Sequence, residues 1–317
     1  MQLFAITAPI FLVVVLGMLT AHRHWLGDQA GPVLGNFVMR FALPATLFTT
    51  LSRVPASEII EPAFMLAYGG SGLLTALLVI GVASLLMGRD RIQALLQGFG
   101  SIMPNTLFFG LPIAMQYFPE TPGNAFAMAV LTENLLFFTP FLLALQVTAA
   151  GPGGSIGAAI RQVGVQLMRS PIILAIIAGV LVSSLAIPVP LVLAEAIDLV
   201  ARASAAIALF AVGFAIARSS VNLRGQERDL ILVVGAKLIV QPLITLLLVL
   251  FVVPDFDPVL QFSAVLLSSM PMFSIYPIIG ARYGHERDTL LALMVAVVLS
   301  FLTITGWLWV LSRLLQV

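Results

Sequence analysis

Two prolines interrupt stretches that otherwise read as uncharged apolar helices. Pro104 follows Ser101-Ile102-Met103 and precedes Asn105-Thr106; Pro271 follows Ser268-Ser269-Met270 and precedes Met272. A proline removes one backbone hydrogen bond and collides with the preceding turn, so each opens a helix near its middle. The second half-helix then begins with unpaired N–H groups carrying about half a positive charge. Two such starts brought together make an anion site without a full charge, and Asn105 and the nearby hydroxyls could orient the anion. The competing reading is a pair of structural kinks. Two prolines at matching places, each beside small polar residues, favour a substrate site of Pro104, Asn105, Thr106, Ser268, Pro271 and Met272.

Ionisable side chains inside apolar stretches are the second source of chemistry, because such groups are functional candidates by default. Lys237 and Glu133 stand in separate stretches. Gln241, four residues after Lys237 and on the same helical face, and Asn134, beside Glu133, complete a candidate charge and coupling set. Lys237 snorkels to the inner surface, supplies positive charge to an anion, or titrates during transport, since burial disfavours a charged lysine. Glu133 is protonated, paired with Lys237, or a proton carrier. Asn36, Arg40, Asp198 and Arg202 form a third group. Asp198 and Arg202, four apart, can pair on one helix face, and a structural charge network is the favoured reading, with Arg40 facing an anion as the exception.

Other chemistries lack their residues. The chain has 0 cysteines, and its three histidines (His22, His24, His285) fall beside charges in short loops, so no metal site and no cofactor is expected. No His-Glu-x-x-His motif, paired aspartates or Ser/His arrangement lies inside a span, which argues against an intramembrane enzyme. Gly151-Pro152-Gly153-Gly154-Ser155 lacks the Gly-Lys-Ser/Thr of a phosphate loop. A net charge of +1 excludes a strongly basic nucleic-acid binder.

The elements that must hold these residues are set by composition. Of 317 residues, 60% are hydrophobic and 9% charged, where a soluble chain carries about 25% charged; mean hydropathy is +1.10. Spans of roughly 20 apolar residues cross a bilayer, and in lipid they must be helical. Ten are expected: Leu3–Ala21, read as a retained helix and not a signal peptide, Gly31–Ser52, one within Pro62–Gly88, Ile92–Phe118, Thr121–Thr148, Ser170–Pro188, Leu191–Ala217, Leu230–Val253, Pro258–Ala281 and Thr289–Ser312. With the N-terminus outside, ten basic residues fall in inner loops and two, Arg53 and Arg313, in outer ones, as the positive-inside rule requires. Both termini are therefore expected to be periplasmic. Ile156–Met168 suits a short helix at the inner interface.

The chain also repeats itself. Ala8-Pro9-Ile10-Phe11-Leu12 matches Ser170-Pro171-Ile172-Ile173-Leu174 at an offset of 162, which also places Gly17 on Gly179, Asn36 on Asp198, Arg40 on Arg202 and Leu47-Phe48 on Leu209-Phe210. Ser101-Ile102-Met103-Pro104 matches Ser268-Ser269-Met270-Pro271 at an offset of 167. An odd number of spans per copy, five, inverts the second copy. The expected organisation is a first repeat over 1–150, an inner-side linker with the interfacial helix over 151–169 and a second repeat over 170–317. Inverted repeats with broken helices are typical of secondary transporters, and suit a carrier better than a channel.

Asn36…Leu43-Pro44-Ala45-Thr46-Leu47-Phe48, Pro104-Asn105-Thr106…Gly110-Leu111-Pro112-Ile113, Lys237…Pro242 and Met270-Pro271…Tyr283-Gly284 together resemble the auxin efflux carrier family, in its bacterial malonate/malate-permease-like branch. The resemblance covers essentially the whole chain, and its most specific part is the motif at Pro104. It implies an all-α membrane protein with a bile-acid-symporter-like fold. The first, second, sixth and seventh spans would form a scaffold, and the third to fifth and eighth to tenth a transport domain in which the fourth and ninth cross. It implies carriage of small organic anions across the inner membrane by alternating access: carboxylates such as malonate or malate, or auxin-like acids, by efflux or linked to protons. A sodium-coupled organic-anion symporter of the bile-acid type is the alternative. Plant members carry a second Pro-Asn break where this chain has Pro271-Met272, so the second half would contribute backbone alone. Besides the anion and membrane lipids, a second copy is a partner that Gly27, Gly31, Gly35 and the scaffold face could support; nucleic acid is not expected.

Overall fold

The structure is a computed structural model and describes residues 2–53, 60–120, 122–150, 168–218 and 225–315, with four residues between 157 and 165. The interfacial helix expected over 156–168 lies largely outside them. The described residues are all helical apart from turns and breaks. The helices are α1 (Gln2–His22), α2 (Ala30–Leu51), α3 (Pro62–Leu86), α4 (Arg91–Ile102), α5 (106–117), α6 (Gly123–Ala150), α7 (Pro171–Ser184), α8 (Leu191–Ala217), α9 (Glu227–Phe251), α10 (Pro258–Ser268), α11 (Tyr276–Arg282) and α12 (Glu286–Leu314). Six of them, α2, α3, α6, α8, α9 and α12, are long and apolar enough to cross a membrane. Their outward faces carry bare leucines, Leu77 and Leu302 each 68% exposed, a surface that suits acyl chains and not water.

Local chemistry fixes the helix starts. Asp90 caps α4 by accepting a hydrogen bond from Gln93 N (2.9 Å), and Asp257 caps α10 by accepting one from Leu260 N (3.0 Å). Each satisfies one of the first turn's orphan donors. Pro258, Pro171 and Pro62 stand at first helical positions, where a missing N–H is harmless. The helices are not regular throughout. Wider π-helical segments interrupt α2 at Val38–Ala42, α6 at Glu133–Phe138 and α9 at Ala236–Val240, one ends α3 at Val82–Leu86, and α5 opens with another at Thr106–Gly110. Three ionisable residues expected inside spans, Arg40, Glu133 and Lys237, fall in these segments. Such bulges frequently mark functional positions.

The chain divides into two compact units, one of residues 1–61, 107–128 and 166–220, the other of residues 62–106, 129–165 and 221–317. In the first, α1 lies against the second half of α8 so closely that backbone meets backbone. A β-carbon on Gly17 would stand 2.1 Å from the carbonyl oxygen of Phe210, and one on Gly213 1.9 Å from that of Val14. Gly179 on α7 faces Leu51 and Phe48 of α2 in the same manner, less tightly, with 3.2 Å to the Phe48 carbonyl oxygen. The charges of this unit pair differently from expectation. Asp198 does not pair with Arg202; it takes Arg53 Nη2 at 2.7 Å and the Thr49 hydroxyl at 2.9 Å. Arg53 lies two residues beyond the end of α2, where its guanidinium and the Thr49 hydroxyl of the same segment reach the Asp198 carboxylate together. Asn36 and Arg40 are exposed and join no network among the described residues.

The second unit is tied at the ends of α4, α9 and α12. Arg89 grips Asp229 with two hydrogen bonds (3.0 and 2.7 Å), and Gln97 Nε2 donates to the same carboxylate at 2.6 Å. Gln226 and His285 both bond Asp288. Its interior is aromatic: Phe99 stacks on Phe141 with centroids 5.4 Å apart and meets Phe273 edge-on at 5.2 Å. Glycines set the approach of α3 to α6, since a β-carbon on Gly72 would stand 2.2 Å from the Phe137 ring.

Candidate functional site

The two prolines break their helices as the sequence predicts, and the breaks meet inside the second unit. α4 ends at Ile102 and the chain runs extended at Met103 (φ −81°, ψ 102°), whereas α10 ends at Ser268 and leaves through a turn at Ser269 (φ −82°, ψ −6°). Pro104 and Met272 face one another in a short antiparallel bridge. Asn105 N donates to Pro271 O at 2.7 Å, Phe273 N donates to Met103 O at 3.1 Å, and Asn105 Nδ2 donates to Ser274 Oγ at 3.0 Å. Backbone broken at membrane depth must find partners in protein or in a water-filled cavity; here each break supplies them to the other. Asn105 is 5% exposed and Met272 0%.

Each break also leaves a helix C-terminus, the negative end of its dipole, and one helix serves both. On α9, Gln241 Nε2 donates to Ile102 O at 3.2 Å, the end of α4. Lys237 Nζ donates to Ser268 O at 2.7 Å, the end of α10, and to Gln241 Oε1 at 2.6 Å. Lys237 is 0% exposed, so it does not snorkel to a surface. A lysine at a helix C-terminus satisfies an orphan carbonyl and opposes the dipole at once. The Gln241 carbonyl and Ser71 hydroxyl carry the network on through Thr245.

A carboxylate lies beside this crossing. Glu133 is 6% exposed, and its Oε1 accepts hydrogen bonds from the Tyr68 hydroxyl at 2.6 Å and the Thr106 hydroxyl at 2.5 Å. Its Oε2 has no hydrogen-bond partner among the described residues. Glu133 and Lys237 are near enough for their charges to interact but make no ion pair within 4.0 Å. The direct pairing considered from sequence is absent because each has other partners: two hydroxyls on one side, a carbonyl and an amide on the other.

Comparison with known proteins identifies the family. Residues 3–151 and 155–308 match the family described as "Membrane transport protein". The chain is 30% identical over 314 residues to the "Putative malonate transporter" of Rhizobium meliloti (strain 1021), covering 97% of this chain and 95% of that protein. It is 24% identical over 168 residues to "Auxin efflux carrier component 8" of Arabidopsis thaliana, covering 50% of this chain and 44% of that protein. The chain belongs to the auxin efflux carrier family. It is accordingly a multi-pass membrane protein of a transport family.

In this family member the candidate residues do not all gather. Pro104, Asn105, Pro271 and Met272 form the bridge, Thr106 leads from it to Glu133, and Ser268 offers its carbonyl to Lys237 while its hydroxyl turns back to Val265 O at 2.8 Å. Asn134 stays within its own helix: Nδ2 donates to Val130 O at 2.8 Å, one turn back. Sequence reasoning missed Tyr68, which is 0% exposed and stacks on Phe64 with centroids 5.6 Å apart. One signal was present. Tyr68 is followed by Gly69-Gly70-Ser71-Gly72, small residues that let a neighbouring helix approach and bring the Glu133 carboxylate within reach of the phenol.

Proposed function

We propose that the chain is a secondary active transporter that moves small organic anions across the inner membrane by alternating access. Carboxylates of the malonate or malate type are the first candidates, and auxin-like acids the second. The observation that carries this reading is the pairing of the two broken helices in the buried centre of the second unit, with their C-terminal ends already answered by Lys237 and Gln241. With the negative ends answered, an anion would enter the crossing by taking the place of the Pro271 carbonyl and the Ser274 hydroxyl as acceptor from Asn105, at the start of the second half-helix. Membership in the family and the malonate-named relative support the same solute class.

The architecture proposed is ten helices in two inverted five-helix repeats, with the fold of the bile-acid symporters. Equivalent packing supports it: Gly17 meets Phe210 and Gly179 meets Phe48, pairs related by the 162-residue offset of the sequence repeat. The first, second, sixth and seventh spans would form the scaffold, through which a dimer would assemble, and the others the moving domain; both termini would be periplasmic. Proton linkage through Glu133 is favoured over sodium. Gln241, one of the few side chains a sodium cage could draw on, has its oxygen held by Lys237. The test is uptake of labelled malonate into vesicles, with proton and sodium gradients imposed separately. Asn105→Ala is expected to abolish uptake while leaving the protein folded and inserted; normal uptake by that variant removes Asn105 from the site. Uptake driven by sodium and indifferent to pH overturns the proton linkage.

A further inference from the structure

We infer that the Thr106 hydroxyl is the positioning group through which protonation of Glu133 controls binding of the substrate anion, an inference that rests on the proton-linked reading above. A hydroxyl has one hydrogen to give. In this structure Thr106 gives it to Glu133 Oε1 at 2.5 Å, the same oxygen that accepts from Tyr68 at 2.6 Å. Thr106 is also the residue after Asn105, whose amide and backbone N–H lie in the bridge between the broken helices. A carboxylate substrate at that bridge only accepts hydrogen bonds, so it competes with Glu133 for one hydrogen.

The competition is settled by a proton. While Glu133 is ionised it draws both hydroxyls, and Thr106 is turned away from the bridge. When a proton from water adds to Oε2, the oxygen with no partner among the described residues, the group becomes a neutral acid. Its Oε1 is then a neutral carbonyl, a weaker acceptor than an ionised substrate carboxylate, and while Tyr68 keeps its bond the Thr106 hydrogen turns to the anion. The other groups facing Glu133 do not change: Tyr68 on α3 keeps its bond, and Lys237 on α9 stays fixed by Ser268 O and Gln241. Anion affinity therefore rises when Glu133 is protonated, and by reciprocity the bound anion favours the protonated acid. One proton then travels with each anion. Only a side chain with a single rotatable donor at position 106 does this; both a serine and a threonine qualify, whereas a valine of the same shape does not.

The experiment measures malonate affinity of the purified full-length chain by calorimetry across neutral pH, in a window where malonate stays ionised. Four proteins are compared: wild type, Glu133→Gln, Thr106→Val and Thr106→Ser, each first checked for a cooperative thermal transition. The wild type is expected to bind about tenfold or more tightly at the acidic end. Glu133→Gln should bind with pH-independent affinity, Thr106→Val should lose most of the pH dependence, and Thr106→Ser should keep it. If Thr106→Val retains the wild-type dependence while Glu133→Gln has none, the relay is wrong and proton linkage stands. If Thr106→Ser loses the dependence, the relay is likewise wrong, and this arm decides the matter even where Thr106→Val fails to fold. If Glu133→Gln keeps the wild-type dependence, the proton-linked reading itself falls, and the relay with it.

Discussion

Lys237 illustrates how a single residue type was legible and its role was not. A lysine seven residues into an apolar stretch is conspicuous in sequence, which suggests an exit to the inner surface, a charge offered to an anion, a titrating group or a partner for Glu133. The structure gives another role: the ammonium caps the C-terminus of the broken helix α10 through Ser268 O. Pro271 predicts the break, and a break leaves two ends: the positive start of the second half and the negative end of the first, which needs a partner just as much. Replacing the lysine by methionine keeps the volume and leaves Ser268 O and Gln241 Oε1 without their donor. The expected loss is about 1–3 kcal/mol, read as a lower midpoint of thermal unfolding in detergent. Arginine should not rescue, because contacts of 2.6 and 2.7 Å to two acceptors suit a compact ammonium and not a planar fork. An unchanged midpoint in Lys237→Met would show that the cap is dispensable.

At the scale of elements, helix breaks and helix starts could be read because proline, aspartate and glycine act locally. The π-helical segments that place Glu133 and Lys237 could not. They depend on which neighbour fills the widened turn, as Trp307 does by donating to Leu238 O at 2.9 Å, and nothing within five residues of Lys237 announces that partner. The pairing of Asp198 with Arg53 eluded the sequence for the same reason, since their separation in the chain is 145 residues. Glycine spacing was more informative than it looked. Gly17 entered only as part of the sequence repeat, but the packing of α1 on α8 requires it, because any β-carbon there overlaps a carbonyl oxygen. Gly17→Ala and Gly213→Ala are each expected to cost about 1–3 kcal/mol by overpacking. Gly179→Ala should cost less, its contacts being 2.9 and 3.2 Å, and Gly306→Ala, with nothing within 4 Å, should be tolerated. Thermal midpoints in detergent rank the four; a Gly17→Ala protein as stable as Gly306→Ala would mean the two helices part easily.

At the scale of the whole molecule, the proposed mechanism stands or falls with the number of crossings, since inverted repeats require an odd number of them between equivalent points. On the ten-span reading, ten basic residues fall on one set of alternate loops and two on the other, a bias that insertion reads from lysine and arginine alone. The sequence offers an unusually clean test because it contains 0 cysteines, so any introduced thiol is the sole reactive group. Glu120, in the exposed turn between α5 and α6, and Arg91, at the exposed start of α4, lie at opposite ends of one crossing if the broken pair α4–α5 spans the membrane. A membrane-impermeant maleimide added to intact cells is expected to label Glu120→Cys and to spare Arg91→Cys until the inner membrane is permeabilised. Arg313→Cys, near the end of α12, should label from outside as Glu120→Cys does, and Arg287→Cys, at its start, only after permeabilisation. Labelling of Arg91→Cys and Glu120→Cys from the same side would mean that the broken helices re-enter without crossing. The second half could not then be an inverted copy of the first, and alternating access by exchange of two equivalent halves would lose its geometrical basis.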